Sequence, residues 1–115
     1  MALVIGHRAA AALAAENTLE GIRAAALCRA DYVELDVRLS RDGELVLMHD
    51  ESVDRTTNGR GLVEDLSLEE LKALEVRDQT GRVLENQRIA TLKEAVHLSG
   101  ELDIGLVVEM KEEGL

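Results

Sequence analysis

The sequence predicts an α/β fold of the (βα)8 TIM-barrel type, with this chain forming about half of the barrel. Short apolar segments with the character of buried strands alternate with segments that carry helix-capping signals. We expect four such strands, whereas a complete barrel has eight and needs about 250 residues. Residues 1–115 are therefore expected to form one half-barrel unit, with residues 50–88 as a small insertion after the third strand.

Four segments have the composition of strands, and the second of them alternates apolar and acidic side chains with the period of two that is typical of a strand. The connection between the second and third strands contains the turn signal Asp42-Gly43. It is too short for a crossover helix, so the residues alone favour a local hairpin. The four predicted strands are Ala2–Gly6, Asp31–Val37, Leu45–Met48 and Asp103–Glu109.

Three helices are predicted from the capping-box pattern, in which Asn, Ser or Thr is followed three residues later by Glu. We expect the first helix to run to about Arg29, the second to about Leu74, and the third to about Ser99, where Gly100 would end it. Between the last two helices a small hairpin is expected around Thr80-Gly81. The predicted cap pairs are Asn17 with Glu20, Ser67 with Glu70, and Thr91 with Glu94.

The composition excludes some classes of partner. A formal net charge of −10 argues against binding to nucleic acid or to an anionic membrane surface. No apolar segment approaches the length of a membrane span. Cys28 is the only cysteine, which rules out an intrachain disulfide and favours a reducing, cytoplasmic location.

Polar side chains collect where the predicted strands end. In a parallel barrel the carboxyl ends of all strands open on the face that carries active sites, so these side chains are expected to converge. Glu34 and Asp36, two residues apart, would lie on the same side of their strand, although solvent exposure explains that pair equally well. With Glu109 they form a set of oxygen ligands suited to Mg²⁺ or Ca²⁺.

Two histidines and two basic residues accompany the carboxylates. His7 and His49 follow the first and third strands and fit a general acid–base pair, because imidazole titrates near neutral pH. Arg8 and Lys111 would supply positive charge to a phosphate group. His97 lies in the third predicted helix and is expected to be a surface residue.

Four further polar residues have simpler or open interpretations. Asn17 and Asn58 are expected to be structural, as a helix cap and a turn residue. Glu16 is ambiguous, and Asp50 could orient a histidine.

Seven short motifs occur in an order and spacing that resemble the glycerophosphodiester phosphodiesterase family. The resemblance extends over essentially the whole chain, but over only the first half of a usual family member. The motifs are Gly6-His7-Arg8, Glu16-Asn17-Thr18-Leu19, Val33-Glu34-Leu35-Asp36-Val37, Met48-His49-Asp50, Asp54-Arg55-Thr56-Thr57-Asn58-Gly59, Thr91-Leu92-Lys93-Glu94 and Val108-Glu109-Met110-Lys111.

The resemblance implies a phospholipase-C-like barrel that hydrolyses glycerophosphodiesters to glycerol phosphate and an alcohol. It implies Glu34, Asp36 and Glu109 as ligands of a divalent cation and His7 and His49 as the acid–base pair. It implies that Arg8 and Lys111 contact phosphate. It also implies that the second and third strands are parallel, which overrides the hairpin favoured by the residues alone.

Two alternatives stay open. One is a related barrel phosphodiesterase of the phospholipase C or sphingomyelinase D type. The other is an engineered or truncated half-barrel scaffold that self-assembles and need not be active, which the absence of Pro, Phe and Trp favours. In either enzyme or scaffold, a homodimer of two half barrels would pair the exposed edge strands and complete the barrel.

Overall fold

A computed structural model describes residues 5–6, 16–78 and 80–111, with side chains from residue 16 onward. Helices and strands are interspersed along the chain, as expected for an α/β fold, although at two places two strands follow each other directly. A short 3-10 turn lies at Val63–Asp65. The elements are β1 (Ile5–Gly6), α1 (Leu19–Leu27), β2 (Tyr32–Leu39), β3 (Leu45–Leu47), α2 (Leu68–Lys72), β4 (Val76–Arg77), β5 (Val83–Leu84), α3 (Leu92–Leu102) and β6 (Gly105–Met110).

The β2 strand is the centre of a four-stranded sheet, with β1 and β6 both parallel to it. Its side chains alternate, and Val33, Leu35 and Val37 are at most 1% exposed on one face. Glu34 and Asp36 therefore lie on the opposite face. The register of β6 places Glu109 directly beside Asp36.

The third strand is antiparallel to β2, so the parallel arrangement implied by the family resemblance is wrong. Val37 pairs with Leu47 and Leu39 pairs with Leu45. Residues 40–44 form a tight turn in which Gly43, at φ 82°, donates its N–H to the Ser40 carbonyl at 3.0 Å. Five residues cannot cross over a sheet, whereas they can close a hairpin, and the local turn signal prevails.

The hairpin returns the chain toward the polar residues of β2. The Met48 N–H donates to the Asp36 carbonyl at 2.9 Å. Consequently His49, which follows β3, lies next to the part of β2 that carries Asp36, and not near the turn of the hairpin.

Two apolar clusters stabilise the fold. In the first, α1 and α3 cover the apolar face of β2, with Ile22 and Ala95 fully buried against it. The second joins Val46 and Met48 to buried residues from 50–88, including Leu71. The predicted insertion segment therefore packs against β3 and Met48, immediately before His49.

Helix starts follow the predicted signals in two of three cases. The capping boxes at Ser67 and Thr91 are present with both reciprocal hydrogen bonds. In α1, however, the cap is Thr18, whose hydroxyl accepts the Gly21 N–H at 3.0 Å, and not Asn17. The box with Glu20 cannot form from that cap, because Glu20 is then the second residue of the helix; it pairs with Arg23 instead.

Two other local predictions can be compared with the structure. The small hairpin around Thr80-Gly81 is confirmed as the antiparallel pair β4 and β5. The predicted end of α3 at Gly100 is wrong, since the helix continues to Leu102 and ends at Asp103 in a left-handed conformation. Over the described part of the chain, no helix is both long and apolar enough to cross a membrane.

Candidate functional site

Asp36 is held in place by Asn17. The Asn17 amide nitrogen donates to Asp36 Oδ2 at 3.1 Å, and the Asp36 backbone N–H donates to Asn17 Oδ1 at 3.0 Å. Both residues are buried, at 4% and 6% exposure. Asn17 adopts a left-handed backbone conformation, with φ 53°, which Asn tolerates better than most residues. This arrangement explains why Asn17 is not available as the helix cap.

Glu109 and Lys111 meet Asp36 across the sheet. Lys111 Nζ lies 3.0 Å from Glu109 Oε1 and 3.8 Å from Asp36 Oδ1. The hydrogen bond from Lys111 is the main reason that the pKa of Glu109 lies below its ordinary value, with smaller contributions from Asp36 and His49. Glu34 lies half-buried on the same face, two residues before Asp36.

His49 has an ordered carboxylate partner. Its Nδ1 lies 3.0 Å from Asp50 Oδ1, so the prediction that Asp50 could orient a histidine is consistent with the geometry. Arg38 donates from Nε and Nη2 to the His49 carbonyl, at 3.1 and 2.8 Å, which fixes the backbone at this point.

Arg55 connects two acidic residues beside the histidine. One edge of its guanidinium group, Nε and Nη2, donates to both carboxylate oxygens of Asp50. The other edge, Nη1 and Nη2, donates to both oxygens of Glu16. Hydrogen bonds from Arg55 are the largest cause that lowers the pKa of Asp50 to about 2. The same two carboxylates raise the pKa of Arg55, with Asp50 the larger cause.

The carboxylates can be compared with the needs of a divalent cation. Within residues 5–6, 16–78 and 80–111, no three His, Cys, Asp or Glu side chains are gathered closely enough to hold a metal ion. Instead, the Lys111 ammonium lies between Asp36 and Glu109. A positive charge is thus already placed between two of the three predicted ligands, and their oxygen donors are of the type that Mg²⁺ and Ca²⁺ prefer.

The structure brings together Asp36, Glu109, Lys111 and His49 of the predicted site residues, with Glu34 on the same face. His7 and Arg8 lie outside the described residues, as does the loop predicted at Ala9–Ala15. His97 is 80% exposed in its side chain and pairs with Glu101, which confirms its prediction as a surface residue.

The sequence interpretation missed three contributions to this site. The sequence pattern indicates a helix cap at Asn17, assigns no role to Glu16 and does not indicate a contact for Arg55, whereas the structure places all three beside Asp36 or Asp50. Asn58 joins two segments rather than forming a simple turn, because its Oδ1 accepts the Glu75 N–H at 2.9 Å. One signal in the sequence points to these residues: Glu16, Asn17 and Arg55 all lie within motifs that resemble the family.

Comparison with known proteins identifies the family. The model of the glycerophosphoryl diester phosphodiesterase family matches residues 7–114. A glycerophosphodiester phosphodiesterase from Caldanaerobacter subterraneus subsp. tengcongensis is 45% identical over 109 residues, which cover 95% of this chain and 45% of that protein. A putative glycerophosphodiester phosphodiesterase from Bacillus subtilis is 44% identical over 108 residues, covering 94% of this chain and 44% of its own length.

Solved structures give the same result for the fold. An Oleispira antarctica phosphodiesterase in complex with the product sn-glycerol-3-phosphate matches 96% of this chain and 45% of its own, with a TM-score of 0.89 and 38% identity. A glycerophosphodiester phosphodiesterase from Agrobacterium tumefaciens matches 96% and 47%, with a TM-score of 0.83 and 36% identity.

These matches confirm the predicted barrel type. The chain spans about half the length of the relatives that it matches. With a family model that extends over nearly all of its residues, this chain belongs to the glycerophosphoryl diester phosphodiesterase family.

Proposed function

We propose that this chain provides the cation-binding and acid–base part of an enzyme that hydrolyses glycerophosphodiesters to glycerol phosphate and an alcohol. The observation that carries the proposal is the cluster of Asp36, Glu109, Lys111 and the His49–Asp50 pair within a chain of this family. The product bound to the Oleispira relative, sn-glycerol-3-phosphate, supports a glycerol phosphodiester as the substrate class.

We assign separate parts of the reaction to these residues. Glu34, Asp36 and Glu109 are not gathered around one point in the structure, so their side chains would have to draw together, with Lys111 displaced, to hold a divalent cation, Mg²⁺ or Ca²⁺. When bound, the cation would stabilise charge on the phosphate and activate a hydroxyl nucleophile. When the cation and the substrate phosphate are both bound, the Lys111 side chain would turn from the carboxylates toward a phosphate oxygen.

His49 would transfer a proton, and His7 is proposed as the second member of the acid–base pair. The pair would take the proton from the attacking hydroxyl and give one to the leaving alkoxide. Arg8 is proposed to contact the phosphate with Lys111, because a guanidinium group suits a charged, multidentate oxygen ligand.

Cation binding is tested by calorimetry with Mg²⁺ and with Ca²⁺. Asp36→Asn should abolish binding, since it removes a negative ligand at the centre of the cluster. Asp65→Asn makes the same chemical change at an exposed position and should bind like the parent. Equal binding by the parent and the Asp36→Asn chain would contradict the proposed cation site.

Turnover is tested with glycerophosphocholine and either cation, following release of glycerol phosphate. We expect His49→Ala and His7→Ala each to lower the rate by about 10²–10⁴-fold, the usual range for acid–base catalysis. His97→Ala is the matched control, because the His97 side chain is exposed on α3 and pairs with Glu101, outside the proposed site. If no turnover occurs although the cation binds, the inactive scaffold becomes the better interpretation.

A closed barrel made by two copies of this chain is also proposed. The support is that Val107 and Met110 of β6 are 45% and 50% exposed, and that β6 pairs only with β2 among the described strands, so its other edge is open. Sedimentation at several protein concentrations, with and without Mg²⁺, should show a dimer. A monomer under all these conditions would contradict closure by a second copy.

A further inference from the structure

We propose that Arg55 is a positioning residue for the acid–base histidine: it fixes the Asp50 carboxylate, and Asp50 in turn sets the orientation and tautomer of His49. The proposal rests on the proposed role of His49. It gives the segment 50–88 a part in the chemistry, since Arg55 lies in that segment.

The first step of the argument is the geometry of the guanidinium group. Arg55 Nε lies 2.8 Å from Asp50 Oδ2, and Nη2 lies 3.0 Å from Oδ1. On its other side, Nη1 and Nη2 lie 2.6 and 3.0 Å from the two oxygens of Glu16. A planar fork bonded to two carboxylates at once fixes their planes as well as their distances.

Glu16 makes this fork a fixed point. Its side chain is only 11% exposed, whereas that of Arg55 is 47% exposed. Glu16 also precedes Asn17, which is hydrogen-bonded to Asp36. The arginine is thereby tied to the segment that positions the proposed cation ligand, and movement of one part of the site would be felt in the other.

The second step concerns the proton on His49. Asp50 is ionised at neutral pH, as an aspartate is even at its ordinary pKa of 3.8, and hydrogen bonds from Arg55 lower that pKa further, to about 2. Its carboxylate can therefore only accept hydrogen bonds, and the contribution of Arg55 is to hold that carboxylate in one orientation. The 3.0 Å contact between Asp50 Oδ1 and His49 Nδ1 therefore requires a proton on Nδ1. Nε2 is then the nitrogen that exchanges a proton with the substrate.

A purely structural role for Arg55 makes a different prediction. In that case Arg55 would serve only to fasten the segment 50–88 to the sheet. Its removal would lower stability, yet the tautomer of His49 would not change in the molecules that remain folded. The state of the imidazole ring therefore separates the two roles.

The deciding experiment is ¹⁵N NMR of the imidazole rings in the whole chain at neutral pH. The chain has three histidines, so His7→Gln and His97→Gln assign the His49 signals by elimination. In the parent we expect the Nδ1–H tautomer of His49. Arg55→Met should convert it to a mixture of tautomers, and Arg55→Lys should restore the parent spectrum only in part, because an ammonium cannot bind both carboxylates as a fork.

Arg60→Met is the matched control, since it removes the same charge from an exposed position of the same segment. Its His49 spectrum should equal that of the parent. If Arg55→Met does not fold, Glu16→Gln weakens the same fork and should also shift the tautomer. An unchanged Nδ1–H population in a folded Arg55→Met or Glu16→Gln chain would overturn the proposal.

Kinetics provide an independent measurement. With glycerophosphocholine, Arg55→Met should lower kcat by about 10–100-fold, as expected for a residue that acts through another, and leave KM nearly unchanged. Loss through KM alone would contradict a positioning role. If the parent itself shows no turnover, the proposed function fails, whereas the NMR comparison still decides the role of Arg55.

Discussion

Replacing Asn17 with Ala tests the contact that holds the proposed cation ligand Asp36. The substitution removes two hydrogen bonds at a buried position and leaves a carboxylate oxygen and a backbone N–H without these partners. It also places Ala at φ 53°, where a Cβ atom is disfavoured.

The magnitude follows from these three losses. The hydrogen bond to a carboxylate contributes about 1.5–3 kcal/mol, and the bond from the backbone N–H contributes about 0.5–1.5 kcal/mol. The left-handed conformation costs Ala about 1 kcal/mol more than Asn. We therefore expect Asn17→Ala to lower the free energy of unfolding by about 3–5.5 kcal/mol.

Urea unfolding of the parent and variants measures this loss, provided that the m-value is unchanged. Asn86 is the matched control, because it too has a positive φ, 70°, but is exposed. Asn86→Ala should lose only the backbone contribution, about 1 kcal/mol. Asn17→Gly, which tolerates the backbone conformation, should recover about that amount relative to Asn17→Ala. Equal losses in Asn17→Ala and Asn86→Ala would refute the reasoning.

Three further predictions concern other parts of the chain. Arg55 lowers the pKa of Asp50 from 3.8 to about 2, mainly through hydrogen bonds. The interaction between Asp50 and Arg55 therefore stabilises the fold fully above about pH 4, and this stabilisation disappears as the pH falls through 2. Asp50→Asn should therefore reduce the pH dependence of the unfolding free energy between pH 4 and 2 by about 1–2 kcal/mol in urea titrations, a value discounted for the exposure of Arg55. Gly59→Ala should lower the free energy of unfolding by about 1–3 kcal/mol in thermal melts, since the new Cβ would lie 2.6 Å from a methyl group of Leu74. Gly100→Ala should raise it by about 0.5–1 kcal/mol in the same assay, because Gly100 is inside α3 and nothing lies within 4 Å of the added atom; a loss there would contradict the helix boundary described above.

Local signals predicted most of the elements correctly. The boxes at Ser67 and Thr91 were found because both partners lie within one helical turn. The alternation of apolar and acidic residues in β2 is also a local signal, and it predicts correctly that Glu34 and Asp36 lie on one face. The short turn around Gly43 also predicts the antiparallel direction of β3, whereas the family resemblance implies the wrong, parallel direction.

Long-range contacts could not be predicted in this way. The pattern at Asn17 satisfies the rule for a helix cap, and only its contact with Asp36, nineteen residues away, shows a different use. The link between Glu16 and Arg55 spans thirty-nine residues, so no local pattern reveals it. The following assignments stay predictions: the cation ligands, the acid–base roles of His7 and His49, the phosphate contacts of Arg8 and Lys111, the dimer and the cytoplasmic location.

The β2–β3 hairpin has a consequence for the order of folding. Asp36 and His49 are brought together by a tight turn, and such hairpins form within about 1–10 μs. Glu109 and Lys111 arrive only when β6 pairs with β2, which closes a loop of about seventy residues and is slower. We therefore expect the histidine side of the site to be assembled early in folding, while the second carboxylate and the lysine complete it last.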